Sequence, residues 1–394
     1  MFSTPPHKAT PVPLPIFCIA FEHFPSRATA EENKGAAAGI RLYAGGGGGP
    51  NRSGVPNAVV IYDVDPATLS LTPAGEITFS NQDDACMSLE LAHQEKRRYI
   101  AVGVNAPPEL IQAGDNKNLR LFKFDESLSD NDPNTYTMVK SVQSVPGKKA
   151  EHYQRVARFS ANGSMVITGT TDGHVHIWTF PALDEHRPPM LVSEEVFDVD
   201  IDSESSLLVV VTPSKCQVIS IKNGKIVFEI SQPKFHKRAC EFRACRFGRG
   251  STEDYLYLTL NEKSRRASFI GQWRMDDWKM IRKRQVATKP VTAFALSPDG
   301  ERMAVGVSDL SVVVLSTHSM NVQARLSNAH SFPVTCIAFS PDSKVVASGS
   351  ADSSIHLMAL PKTSSIPSAS AISLLMILLL ILGLMLYIRE AQEL

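Results

Sequence analysis

Along most of the chain, apolar and polar residues alternate in short runs that break at Ser, Asp, Asn or Gly. Three stretches carry this pattern in register: QRVARFSANGSMVITGTTDGHVHIW (residues 154–178), VTAFALSPDGERMAVGVSDLSVVVL (residues 291–315) and VTCIAFSPDSKVVASGSADSSIHLM (residues 334–358). Each predicts a strand ending at a Ser, a tight turn, a strand ending in small residues, a second turn and an alternating apolar strand. Asp, Asn and Gly suit the turns because they tolerate left-handed backbone.

The landmark serines Ser297 and Ser340 stand 43 positions apart, and Ser160 precedes Ser297 by about three such steps. Degenerate copies with landmarks near Asp202 and Gly248 fill the interval, and two more upstream have landmarks at Ala92 and near Glu22. The chain therefore reads as seven units of up to four strands each. That period predicts an all-β fold, a seven-bladed WD-repeat β-propeller. Residues before Pro15 are left either to supply the missing outer strand of the last unit or to leave it three-stranded. The first two steps are each about 25 residues too long. The excess in the first unit includes AGGGGGPNRSGVPN (residues 44–57); that in the second is placed in the polar, proline-punctuated residues 125–150, as a surface excursion.

The apolar pattern changes at the far end. Residues 371–388, AISLLMILLLILGLMLYI, carry no charge. Eighteen helical residues measure roughly 27 Å, close to the hydrocarbon thickness of a bilayer, and a soluble helix is rarely apolar on every face. The reading is a C-terminal single transmembrane helix. It divides the chain into a propeller (residues 1–360), a short tether (361–370), the span (371–388) and a tail (389–394). A span so placed inserts tail-first, leaving the propeller in the cytosol and the tail in the lumen; Lys362 and Arg389 on its flanks do not set the orientation.

Composition narrows the function. Forty basic and forty acidic side chains give zero net charge, which argues against nucleic acid as a partner. The six cysteines form no CxxC pair and read as reduced, buried thiols. His152, His174 and His176 sit in the third unit; His174 and His176 share one strand face without an evident third metal ligand, and the group reads as structural. The charged run at residues 279–284 reads as a solvated outer edge, with contact to an anionic membrane leaflet as the lesser reading. Asn51-Arg52-Ser53 and Asn162-Gly163-Ser164 match the glycosylation pattern and are expected unmodified with the body in the cytosol. No catalytic triad, paired catalytic carboxylates or cofactor fingerprint stands out, so the chain is not read as an enzyme.

The glycine run Gly45 to Gly49 is neither a P-loop nor a dinucleotide fingerprint. No Gly-Lys-Ser/Thr follows it, and the next element is a strand rather than a helix. It reads either as a flexible loop or as one whose carbonyls approach a cation and whose tip presents Asn51, Arg52 and Val55 to a partner.

Seven units, this loop and a C-terminal span with a small tail resemble the endoplasmic reticulum guanine nucleotide exchange factors for the Sar-type small GTPase, the family of the prolactin regulatory element-binding protein. The family's loop has glycines, a short polar stretch and then [S/T]-G-[I/V]-x-N; here these are Gly45 to Gly48, Gly49 to Arg52 and Ser53 to Asn57. The resemblance implies a loop, shaped by a potassium ion, that docks near the nucleotide site of the GTPase and favours its nucleotide-free state. Exchange then starts COPII coat assembly and ER-to-Golgi transport at the endoplasmic reticulum membrane. Carried over, the GTPase-contact loop is Asn51, Arg52, Ser53, Gly54, Val55 and Asn57. Potassium falls to the carbonyls of Gly46, Gly47 and Gly48 with Asp83 or Asp84, of which Asp84 is chosen. Animal members often carry Lys where this chain has Arg52, which keeps the charge and changes its geometry. The alternative is a membrane-tethered scaffold that aids cargo exit without exchange. A monomer is expected in either case.

Overall fold

The computed structural model describes residues 5–24, 39–50, 54–94, 97–125, 135–231, 233–235 and 237–361. The chain divides into two units, Met1–Leu360 and Pro361–Leu394. Residues 371–388, the tail and all of the tether but Pro361 lie outside the described residues. Among the described residues no helix is long and apolar enough to cross a membrane.

The described residues of the first unit form seven antiparallel sheets. Blade 1 comprises Ile16–Phe24, Gly39–Gly46, Ala58–Asp65 and Ser70–Thr78, and blade 2 comprises Ser88–Gln94, Arg97–Gly103, Leu119–Phe124 and Tyr136–Val142. Blades 3, 4, 5 and 6 have innermost strands Gln154–Phe159, Asp198–Ile201, Arg238–Phe247 and Val291–Leu296. Blade 7 runs through Val334–Phe339, Val345–Ser350 and Ser354–Ala359, and its outer strand is His7–Pro11. The innermost strands touch in order around a ring that closes between Ile16–Phe24 and Val334–Phe339. The N-terminal segment thus completes the last blade. His7 faces Met358, Ala9 faces His356, and the Thr335 hydroxyl donates to the Ile16 carbonyl at 2.5 Å across the join.

The landmark residues explain the recurrence. Ser160, Ser297 and Ser340 each accept a backbone N–H five residues on, from Met165, Arg302 and Val345 at 2.9–3.0 Å. Each hydroxyl also donates to Asn162, Asp299 or Asp342 within the turn. In blade 4 the Asp202 carboxylate takes over, accepting from the Ser206 and Leu207 amides. The degenerate unit keeps the turn by a different side chain.

The core lies between blades. Second strands such as Met165–Thr170, Arg302–Val307 and Val345–Ser350 are buried at every position, because each blade is covered on both faces. In blade 2, Tyr136–Val142 is an outer strand, so residues 125–150 are not simply an excursion as expected. Part of that unit's excess is instead a short helix, Pro108–Ala113, between its second and third strands.

Candidate functional site

The glycine run is two structures in one. Ala44, Gly45 and Gly46 are the end of the second strand of blade 1, and Gly47 begins the loop. Gly45 pairs with Cys18 just as Gly169 pairs with Val156, Gly306 with Ala293 and Gly349 with Cys336. It is the repeat's own small residue. A β-carbon there would stand 2.6 Å from the Cys18 sulfur and 2.8 Å from that of Cys86. Those two sulfurs are 3.7 Å apart. Burial, and then the Cys86 thiol beside it, push the Cys18 thiol well above its ordinary value.

The loop base is fastened at several points. The Gly47 amide donates to the Pro15 carbonyl at 3.1 Å, and the Gly46 carbonyl accepts from the Cys86 amide at 3.2 Å. Gly49, at φ +80°, donates its amide to Asn57 Oδ1 at 3.0 Å. Asn57 Nδ2 donates to the Asp83 carbonyl at 2.8 Å and reaches those of Ser80 and Gly49 at 3.4 Å. Asp83 receives both terminal nitrogens of Arg120, at 2.8 and 2.9 Å, and the Asp84 amide donates to the Asn105 carbonyl at 3.0 Å. The loop is therefore bolted to the connector between blades 1 and 2. A wholly flexible loop is excluded at these points.

Asn57 is 2% exposed. Its place is inside the loop base, where it holds the two legs together, rather than at a contact surface. Val55 is half-buried and packs against the core shared by blades 1 and 7; a β-carbon on Gly48 would stand 2.8 Å from that of Val55. It is thus more than a free apolar tip. Gly54, at φ +85°, is exposed with open space around it. Asn51, Arg52 and Ser53 lie outside the described residues.

Oxygen atoms dominate the potassium candidates. Asp84 Oδ1 accepts the Ala85 amide at 2.8 Å and approaches Gly49, lying 3.2 Å from where a β-carbon would be. Carbonyls with a carboxylate are a donor set suited to an alkali or hard cation. Among the described residues no cluster of His, Cys, Asp and Glu could hold a metal. The Gly46 carbonyl accepts the Cys86 amide with one of its two lone pairs. The sequence singles out Asn57 and Asp83 for other roles and gives no signal for Arg120, so their joint bracing is visible only in the fold.

The other candidates are structural. His176 stacks on Trp178 at 4.8 Å, and His174 Nδ1 lies 3.1 Å from the Asp172 carboxylate. Met280–Ala287 is the outer strand of blade 5 and exposes most of its charged run.

Comparison with known proteins agrees with this architecture. The WD domain, G-beta repeat model matches residues 140–179 and 321–357, which include most of blades 3 and 7. The chain is 22% identical to the guanine nucleotide-exchange factor SEC12 of Mus musculus over 73% of its own length and 76% of that protein. It is 23% identical to SEC12-like protein 2 of Arabidopsis thaliana, over 71% of this chain and 66% of the relative. It is likewise 23% identical to the putative guanine nucleotide-exchange factor SED4 of Candida glabrata, over 74% of this chain and 27% of that longer protein.

Proposed function

We propose that this WD-repeat propeller, kin to the SEC12 proteins, is a guanine nucleotide-exchange factor for a Sar-type small GTPase. The observation that carries the reading is an alignment with a named exchange factor spanning about three quarters of both chains. A loop held rigidly at its base on one face of the propeller supports it.

The loop segment Asn51 to Gly54, together with Val55, contacts the GTPase beside its nucleotide. Asn57, Asp83 and Arg120 fix the angle at which the loop leaves the propeller, so the docking geometry is set before binding. The Gly46, Gly47 and Gly48 carbonyls with Asp84 would hold a potassium ion, whose positive charge would draw these oxygens together. The protein makes and breaks no covalent bond; it favours the nucleotide-free GTPase, and GTP then enters. Residues 371–388 span the endoplasmic reticulum membrane, the tether and propeller are cytosolic, and residues 389–394 are lumenal. Exchange at that surface starts COPII assembly.

The test is GDP release from a purified Sar-type GTPase by residues 1–360. Release accelerated by the parent, slowed by Asn51→Ala and weakened when sodium replaces potassium is the expected result. A propeller that binds the GTPase without accelerating release would instead make it a membrane-tethered scaffold.

A further inference from the structure

Five innermost strands share one irregularity, at the second residue in four of them and at the sixth of ten in Arg238–Phe247. Pairing with the second strand skips Phe17, Arg155, Arg243, Thr292 and Thr335. A bulge of this kind re-aims the skipped side chain, and all five line the central channel, a cavity of about 720 Å³. Four of these residues lie where the innermost strands begin, on a common face, and a terminal nitrogen of Arg243 reaches the Thr292 carbonyl, so the five form one layer at that mouth. The connection between second and third strands returns to the same face, which is where the glycine loop lies.

Charge in the channel is balanced except in this layer. Deeper in, Arg158 meets Glu90 at 2.9 Å, Arg246 pairs with Asp198, and Arg249 meets Asp200 at 3.2 Å. In the mouth layer Arg155 pairs with the partly exposed Glu195 at 3.0 Å. Arg243 has no carboxylate within ion-pair distance among the described residues; one terminal nitrogen donates to the Thr292 carbonyl at 2.6 Å. Both guanidinium groups lie over the Phe197 ring, at 4.5 and 5.6 Å. The Thr292 hydroxyl is buried without a hydrogen-bond partner, whereas that of Thr335, at the equivalent bulge, is satisfied by two carbonyls. Burial, and next the charge of Arg155, lower Arg243 to about 10, which leaves it cationic at neutral pH.

A half-buried cation with no carboxylate in ion-pair contact is costly, and so is an unpaired buried hydroxyl. One ligand would relieve both. We propose that this channel mouth binds a small phosphorylated anion, gripped by Arg243 and Arg155 with the Thr292 hydroxyl as a further donor. Guanidinium forks match phosphate oxygens two at a time, and the channel has room for more than one phosphate. This site stands apart from exchange and is read without the GTPase.

The experiment is calorimetric titration of the full chain in detergent with inositol hexakisphosphate and with pyrophosphate at fixed salt. A parallel arm reconstitutes the full chain into phosphatidylcholine vesicles and measures whether phosphatidylinositol 4-phosphate in them protects the chain from unfolding in an Arg243-dependent way, with vesicles lacking that lipid as the reference. Saturable binding is expected, weakened about tenfold or more by Arg243→Met and partly kept by Arg243→Lys. Arg274→Met, which removes an exposed arginine paired with Asp277, should leave it unchanged. Without ligand, Arg243→Met should unfold at or above the parent's temperature, and the probe should raise only the parent's. If Arg243→Met does not fold, Thr292→Val serves the same comparison. Binding of the soluble probes assigns a free phosphoanion; an effect of phosphatidylinositol 4-phosphate alone assigns a lipid headgroup. No saturable binding and no effect of that lipid, or equal responses by parent and variants, overturns the proposal.

Discussion

Asn57 and Gly49 are tied in both directions: the Gly49 amide donates to Asn57 Oδ1 at 3.0 Å, and Asn57 Nδ2 reaches the Gly49 carbonyl at 3.4 Å. Because the same amide group also donates to the Asp83 carbonyl, one side chain joins both legs of the loop to the next blade. Asn57→Ala leaves buried backbone groups unpaired and should lower stability by about 2 kcal/mol. It should also remove most loop-dependent GDP release. Denaturant unfolding beside an exchange assay measures both; a variant as stable as the parent would contradict the bracing role.

Gly45→Ala should cost about 1–3 kcal/mol, the usual penalty of overpacking a filled core. The added methyl meets the Cys18 and Cys86 sulfurs. Cys18→Ala in the same chain should recover part of the loss, because neighbouring substitutions couple. A double-mutant cycle with no coupling would mean the blades shift rather than clash.

Removing residues 1–11 takes the outer strand from blade 7 and exposes an unpaired edge at Ser354–Ala359. The Ala359 amide, which donates to the Pro6 carbonyl at 2.8 Å, should then exchange its hydrogen quickly. The melting temperature should fall by several degrees, and the open edge should promote self-association. Unchanged exchange at Ala359 would show that the strand is dispensable.

Acid should weaken the closure of the ring. Burial, and then the neighbouring His330, lower His356 to about 4. His330 is itself lowered, first by burial, against the opposing charge of Asp352. The charge of His7, two residues along the closing strand from the position opposite His356, adds a smaller lowering. A histidine depressed in the folded state contributes stability that is complete above its unfolded value near 6.5 and is lost as pH falls toward 4. Unfolding measured from pH 7 to 4 should show this decline, and His356→Gln should flatten it. Parallel curves for parent and variant would assign the decline to other groups.

The number of blades was legible because the turn chemistry repeats. Ser160, Ser297 and Ser340 do the same job, and Asp202 does it with a carboxylate. The outer strand Tyr136–Val142 was not legible: it exposes several positions and its alternation is weak. Nor was the short helix Pro108–Ala113, which is too brief to show a period. The glycine run misled in part. Aligning AGG at residues 44–46 with TGT at 168–170 and SGS at 348–350 shows Gly45 to be a packing residue of the repeat. Asn57 matched the family's loop pattern, but only the fold shows its side chain turned inward to Asp83. The arginine layer was invisible because its members come from separate blades and meet through bulges that no local spacing records.

The strand His7–Pro11 leaves the ribosome well before its partner Ser354–Ala359, which follows almost the whole length of the propeller later. At about 5–20 residues per second, roughly 20–70 s separate the two. For that interval the first blades exist without their final neighbour, and the closing strand has nothing to pair with. Synthesis speed, rather than the strength of any single contact, therefore sets how long the nascent chain must be shielded from partners that would take the strand's place.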